Sequence, residues 1–230
     1  MKLLIISAGP GLDEIKSIYG HAIDWISSII NDNSIIISTC DIYDNSNFDE
    51  TAFDAWIITG SAYSVLDSDN WISLLKEKIK YAFNNEIPIL GICFGHQIIS
   101  QALGGEVKKN HLGWELGSNK INFNQNAISN KIFKNIDWDD FFYFSHEDVV
   151  VRLPNSAIKL ASNEMGLQSY VINDLIYGVQ FHPEFTKNIM QKYVDVRFNK
   201  GIINEHKQVF ESKTSHMVIS NFINICKEII

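Results

Sequence analysis

Ile87-Pro88-Ile89-Leu90-Gly91-Ile92-Cys93-Phe94-Gly95-His96-Gln97-Ile98-Ile99 opens as a short apolar strand and turns on two glycines that flank one cysteine. It then runs into a helical pattern that ends at Leu103-Gly104-Gly105. A G-x-C-x-G turn between strand and helix presents its middle side chain at the tip of a tight bend, as the serine version of this elbow does. Cys93 is therefore the candidate nucleophile. The helix that follows aims unpaired N–H groups and the positive end of its dipole at the sulfur, which favours thiolate over thiol. The alternative is a buried structural cysteine on a glycine turn, since so short a pattern also arises by chance.

Working outward, the elbow sits in an alternation of strands and helices. Leu3-Leu4-Ile5-Ile6, Ile35-Ile36-Ile37 and Ala55-Trp56-Ile57-Ile58 are continuous apolar runs, as expected of strands buried on both faces of a parallel sheet. Apolar residues recur at helical spacing from Leu12 to Ile30 and again through Trp71, Leu75, Ile79 and Ala82. This rhythm predicts right-handed crossovers and an open, mostly parallel twisted α/β sheet flanked by helices. Ligands in such sheets sit at the carboxyl ends of the strands, which places Gly60-Ser61 and Cys93 at one edge. Ala8-Gly9-Pro10-Gly11 lacks the spacing of a phosphate loop and reads as a turn. After Gly105 the chain becomes β-rich, with short strands around Val107, Phe123, Phe144, Leu160 and Tyr170. Asn173-Asp174 reads as a two-residue hairpin turn that delivers a strand to His182.

That strand belongs to Ile176-Tyr177-Gly178-Val179-Gln180-Phe181-His182-Pro183-Glu184-Phe185, where a histidine and a carboxylate flank a proline. A cysteine nucleophile needs a base, and the base needs a group that holds its ring and tautomer. His182 and Glu184 fit those roles, and Pro183 fixes the backbone between them. Read alone, a histidine at a strand end is more often a surface or satisfied structural residue.

Taken with Trp56-Ile57-Ile58-Thr59-Gly60-Ser61, these motifs resemble class I glutamine amidotransferase domains, in particular the free-standing type similar to the glutaminase part of GMP synthase. The resemblance runs from the first strand to about Phe185. It implies the family's flavodoxin-like fold and a Cys93, His182, Glu184 triad that hydrolyses a γ-amide through a thioester. The Phe94 N–H is one expected oxyanion donor, and by resemblance Gly60 or Ser61 gives the second. Here the chain departs from the GMP synthase pattern, with Gly60-Ser61-Ala62 in place of Gly-Gly-Pro. By resemblance Gln97 holds the α-amino end of the substrate, and backbone near His146-Glu147-Asp148 meets its carboxylate; His146 and Asp148 could instead be a structural strand-end pair. His96 is read as packing. Glu115 is read as a solvated loop carboxylate or as part of the substrate mouth.

With 230 residues, 46% hydrophobic and 20% charged, the chain has the composition of one globular domain. One domain over 1–230 is expected, with a core to about 185 and a C-terminal helical extension that includes a polar loop over 201–214 and an amphipathic helix through Val218, Phe222, Ile225 and Ile229. A net charge of −8 argues against nucleic acid or an anionic membrane as partner. Three scattered cysteines, Cys40, Cys93 and Cys226, make no disulfide framework and point to a reducing cytoplasm. No apolar run reaches the roughly 18 residues of a membrane span. Metal-ligand spacing is absent, so neither metal nor cofactor is expected. Three functions stay open: a glutaminase that feeds ammonia to a separate synthase, a hydrolase of γ-glutamyl peptides or amines, and a non-catalytic module that kept the fold.

Overall fold

The computed structural model describes residues 1–229. Its first half runs β1 (Lys2–Ser7), α1 (Asp13–Tyr19), α2 (Ala22–Ile29), β2 (Ile36–Asp41), β3 (Ala55–Ile58), α3 (Asn70–Asn84), β4 (Ile89–Ile92) and α4 (Phe94–Ala102). The second half runs β5 (Glu106–Lys109), β6 (Glu115–Asn119), β7 (Asn122–Phe123), α5 (Gln125–Ile128), β8 (Phe142–His146), β9 (Asp148–Arg152), β10 (Ala157–Asn163), β11 (Gly166–Ile172), β12 (Ile176–Val179), α6 (Lys187–Asn199) and α7 (Met217–Ile229). Eight strands form one sheet in the order β2-β1-β3-β4-β12-β11-β10-β7, and the pairs β5-β9 and β6-β8 form two small ribbons. The sheet is parallel from β2 to β12 and antiparallel beyond it. The expected α/β architecture with a β-rich second half is the one found.

Alternation along the buried strands divides their side chains between two cores. Leu3, Ile5, Ile57, Leu90 and Ile92 pack under α2 and α7, whereas Leu4, Ile6, Trp56, Ile58 and Ile89 pack under α3 and α4. Helix α7 supplies Val218, Ile219, Phe222, Ile225 and Cys226 to the first core. Burial pushes the Cys226 thiol up to about 12 and also raises Cys40, which suits inert packing residues. Helix α6 belongs to a third, smaller cluster that joins Ile15 of α1 to Leu116, Tyr143, Phe185, Ile189 and Val194.

Three expectations change. The helical spacing from Leu12 to Ile30 is two helices, because Gly20 takes φ +81 and His21 restarts the helix with a capping box closed by Asp24. Strands β6 and β9 were not legible, being short and paired to partners far along the chain. The polar loop over 201–214 is tied down at its end: Lys213 and Thr214 donate backbone N–H groups to the buried Asp140 carboxylate at 2.9 and 2.6 Å, and Ser212 N–H donates to Tyr143 Oη at 2.9 Å. The Asn173-Asp174 turn is as expected, with φ of 52° and 55° joining β11 to β12. Among the described residues no helix is long and apolar enough to cross a membrane.

Candidate active site

Strands β4 and β12 are parallel neighbours, so the ends of both motifs emerge at the same sheet edge. Cys93 follows β4 with φ 52° and ψ −101°, a conformation that costs a non-glycine residue about 1–3 kcal/mol. Its N–H donates to Val179 O at 2.8 Å, and its carbonyl accepts the Gln97 N–H at 3.1 Å, so both strand and helix hold the bend. Both flanking glycines are required by close approach. A Cβ on Gly91 would lie 2.5 Å from the Gly95 backbone, and one on Gly95 would lie 2.4 Å from Ile58 O. Phe94 opens α4, where first-turn N–H groups lack partners within the helix.

His182 is anchored by its N–H to Tyr143 O at 2.8 Å, and its ring stacks on Phe185 with centroids 4.1 Å apart. Phe185 stacks in turn on Tyr193 of α6 at 4.9 Å. His182 Nδ1 donates to Glu184 Oε1 at 2.8 Å, which fixes the tautomer and leaves Nε2 for the sulfur. Burial by itself pushes the His182 pKa down, but the Glu184 carboxylate first and nearby Cys93 second raise it to about 10. Nε2 is nevertheless buried without a formed hydrogen bond.

The loop after β3 closes the site. A Cβ on Gly60 would lie 2.7 Å from His182 Cε1 and 3.5 Å from Cys93 Cβ, so only glycine lets the loop lie against both. The departure at Ser61 has a physical role: its hydroxyl donates to Ala8 O at 2.7 Å and accepts the Tyr63 N–H at 3.0 Å. Thr59 Oγ1 accepts the Ala8 N–H at 3.1 Å and donates to Gly60 O at 2.9 Å. These bonds tie the loop to the end of β1 where a glycine would leave it freer.

Gln97 is buried behind Cys93, and its Nε2 donates to Asp148 O at 2.8 Å and to Gln180 Oε1 at 3.0 Å. Both of its hydrogens are spent inside, which leaves Oε1 as the acceptor that a substrate would meet. Glu147 pairs with Lys109 at 2.7 Å, and the Asp148 carboxylate accepts from Ser64 Oγ. His146 is 4% exposed with both ring nitrogens engaged, Nδ1 with Asp148 O and Nε2 with Glu115 Oε2, each at 3.0 Å. Glu115 is not a solvated loop carboxylate: it is 2% exposed on β6 and also accepts from Asn119, Asn163 and Gln168 at 3.2, 2.6 and 2.8 Å. His96 is fully buried against Tyr170, and burial lowers its pKa to about 3, in keeping with a neutral packing residue.

Two recesses meet at this edge. One, of about 250 Å³, holds Cys93, Gln97, Trp114, Glu147 and Asp148; the other holds His182, Glu184, Ile15, Trp25, Phe185 and Tyr193. Arg197 of α6 lines both. Nothing in the sequence singled it out, since it lies on a weakly amphipathic helix beyond the last motif.

A parallel sheet carrying a cysteine elbow beside a buried histidine–glutamate pair defines a class of protein, and comparison with known proteins gives the family. The family described as glutamine amidotransferase class-I matches residues 35–200, and the chain belongs to it. The match runs past Phe185 and takes in α6. Gamma-glutamyl peptidase 4 of Arabidopsis thaliana is 28% identical over 84% of this chain and 80% of its own. One of the subunits of the glutamine-hydrolysing GMP synthase of Sulfolobus acidocaldarius is 37% identical over 76% of this chain and 78% of its own. A solved glutamine amidotransferase from Thermotoga maritima superposes with a TM-score of 0.76 at 18% identity, covering 99% of this chain and 96% of that one, a likeness of fold.

Proposed function

We propose that the chain is a cysteine amidohydrolase that cleaves the γ-amide of glutamine or of a γ-glutamyl compound. The observation that carries this reading is the strained Cys93 at the elbow, set beside a His182 whose Nδ1 is fixed by Glu184. Cys93 Sγ attacks the amide carbon, and the oxyanion is held by the Phe94 N–H and by Gly60 or Ser61 of the loop after β3. His182 Nε2 gives its proton to the leaving nitrogen as the C–N bond breaks, leaving a thioester on Cys93. His182 then takes a proton from water, the hydroxide adds to the thioester carbon, and the C–S bond breaks to release the γ-carboxylate. Gln97 Oε1 accepts from the substrate ammonium, and backbone near Glu147 and Asp148 meets its carboxylate.

The test is turnover by the purified protein of glutamine and of γ-glutamyl peptides, with circular dichroism recorded on Cys93→Ala. Expected are hydrolysis by the wild type, a glutamyl adduct on Cys93 by mass spectrometry, and a folded but inactive variant. Full activity in Cys93→Ala would overturn the triad. A second reading, in which the chain donates ammonia to a separate synthase, is supported by the likeness to one of the subunits of a GMP synthase. Activity that appears only with a synthase from the same cell would favour it.

A further inference from the structure

Arg197 lines both recesses of the cleft, and the proposed reaction gives it no task. Its guanidinium lies 4.0 Å over the Trp114 ring, and its Nε is buried with no hydrogen-bond partner. Among the described residues it makes neither a salt bridge nor a side-chain hydrogen bond, in a chain that carries 27 acidic residues against 19 basic ones. The other cation of the Cys93 recess, Lys109, is already paired with Glu147. A planar fork held flat on an aromatic ring, with its donors unspent, is preorganised for a carboxylate.

Position says which carboxylate. Gln97, Glu147 and Asp148 line only the Cys93 recess, where the glutamyl end is placed, and Trp25, Phe185 and Tyr193 line only the His182 recess. Leu12, Ser61, Ser145 and Arg197 are among the residues common to both and so stand where the two recesses join. His182 hands its proton to the leaving nitrogen, so the leaving group extends into the recess walled by Ile15, Trp25 and Phe185. In a γ-glutamyl amino acid the free carboxylate is two bonds from that nitrogen, and a cation at the junction meets it. Glutamine and γ-glutamyl amines have no such group.

Building on the proposed amidohydrolase, we propose that Arg197 binds the carboxylate of the leaving amino acid, which makes γ-glutamyl amino acids the preferred substrate class. A charge-assisted pair of this kind is worth about tenfold to a hundredfold in affinity or kcat/KM. The experiment compares a γ-glutamyl-amino acid dipeptide with its C-terminal carboxamide, on the wild type and on Arg197→Gln, by turnover and by titration calorimetry on a Cys93→Ala background. Expected is a preference for the free acid of about tenfold or more in the wild type that collapses toward one in Arg197→Gln and is partly restored in Arg197→Lys. A wild type indifferent to the carboxamide, or a preference that survives Arg197→Gln, overturns the proposal. Equal losses on both substrates would assign Arg197 to the glutamyl end and overturn it too. Carboxylate-dependent binding without turnover would sustain the site and reject the reaction.

Discussion

The molecule buries two histidine–glutamate pairs, and only one of them has anything left to give. His182 and Glu184 meet at 2.8 Å, and His146 and Glu115 at 3.0 Å, all four side chains being almost wholly buried. The His146 ring has a protein partner at each nitrogen, and Glu115 meets polar side chains of β6, β8, β10 and β11. The His182 ring spends Nδ1 alone, and its Nε2 and Glu184 Oε2 stay unpaired. A buried polar group without a partner is costly, whereas a satisfied network rigidifies the fold around it. That difference suits a framework role for the His146 pair and the proposed base role for the His182 pair, although both combine the same residue types at similar distance and burial.

The largest contrast is in rate. His182→Gln is expected to lower kcat by about 10⁴-fold or more while circular dichroism stays native, since removing one member of a triad loses most of its catalysis. His146→Gln is expected to act first on stability. A histidine swap with the reverse outcome, measured by steady-state kinetics on both proteins, would transfer the base role to His146.

Next comes stability. Glu115→Ala takes a carboxylate away from its polar partners, one of them the buried His146 ring, and breaking a buried pair in this way costs about 3–5 kcal/mol. A lowered urea midpoint at unchanged slope is the expected readout. A loss below about 1 kcal/mol would mean that water enters the network, and the contrast with the His182 pair would shrink accordingly.

The uneven legibility of the two pairs has a physical cause. His182 and Glu184 stand two residues apart in one strand-end motif, Cys93 sits in another, and Gly60 ends a third; each motif encodes its own local geometry. The Glu115 network draws on four strands, of which β6 was invisible as a strand because its burial comes from pairing with β8 rather than from an apolar run. Arg197 and Tyr193 reach the cleft only because α6 packs on α1 and on β6 and β8. Glycine at 20 splits a helical pattern whose apolar spacing continues through the break, since periodicity reports the buried face and not the backbone dihedral.

The smallest effect, and the most discriminating, is a titration. Burial alone would lower the His182 pKa; the Glu184 carboxylate first and Cys93 second raise it to about 10. A histidine near 6.5 when unfolded and raised when folded contributes stability that is complete below about pH 6.5. That contribution is lost as pH climbs through about 10. Taking away the sulfur in Cys93→Ala should lower the His182 midpoint, and Glu184→Gln should lower it further, with the ring left to the effect of burial. Ring-carbon NMR across the pH range follows His182 in the wild type and in both variants. A His182 midpoint that stands still in both variants would detach its ring from Cys93 and Glu184 and leave the two histidines on an equal footing.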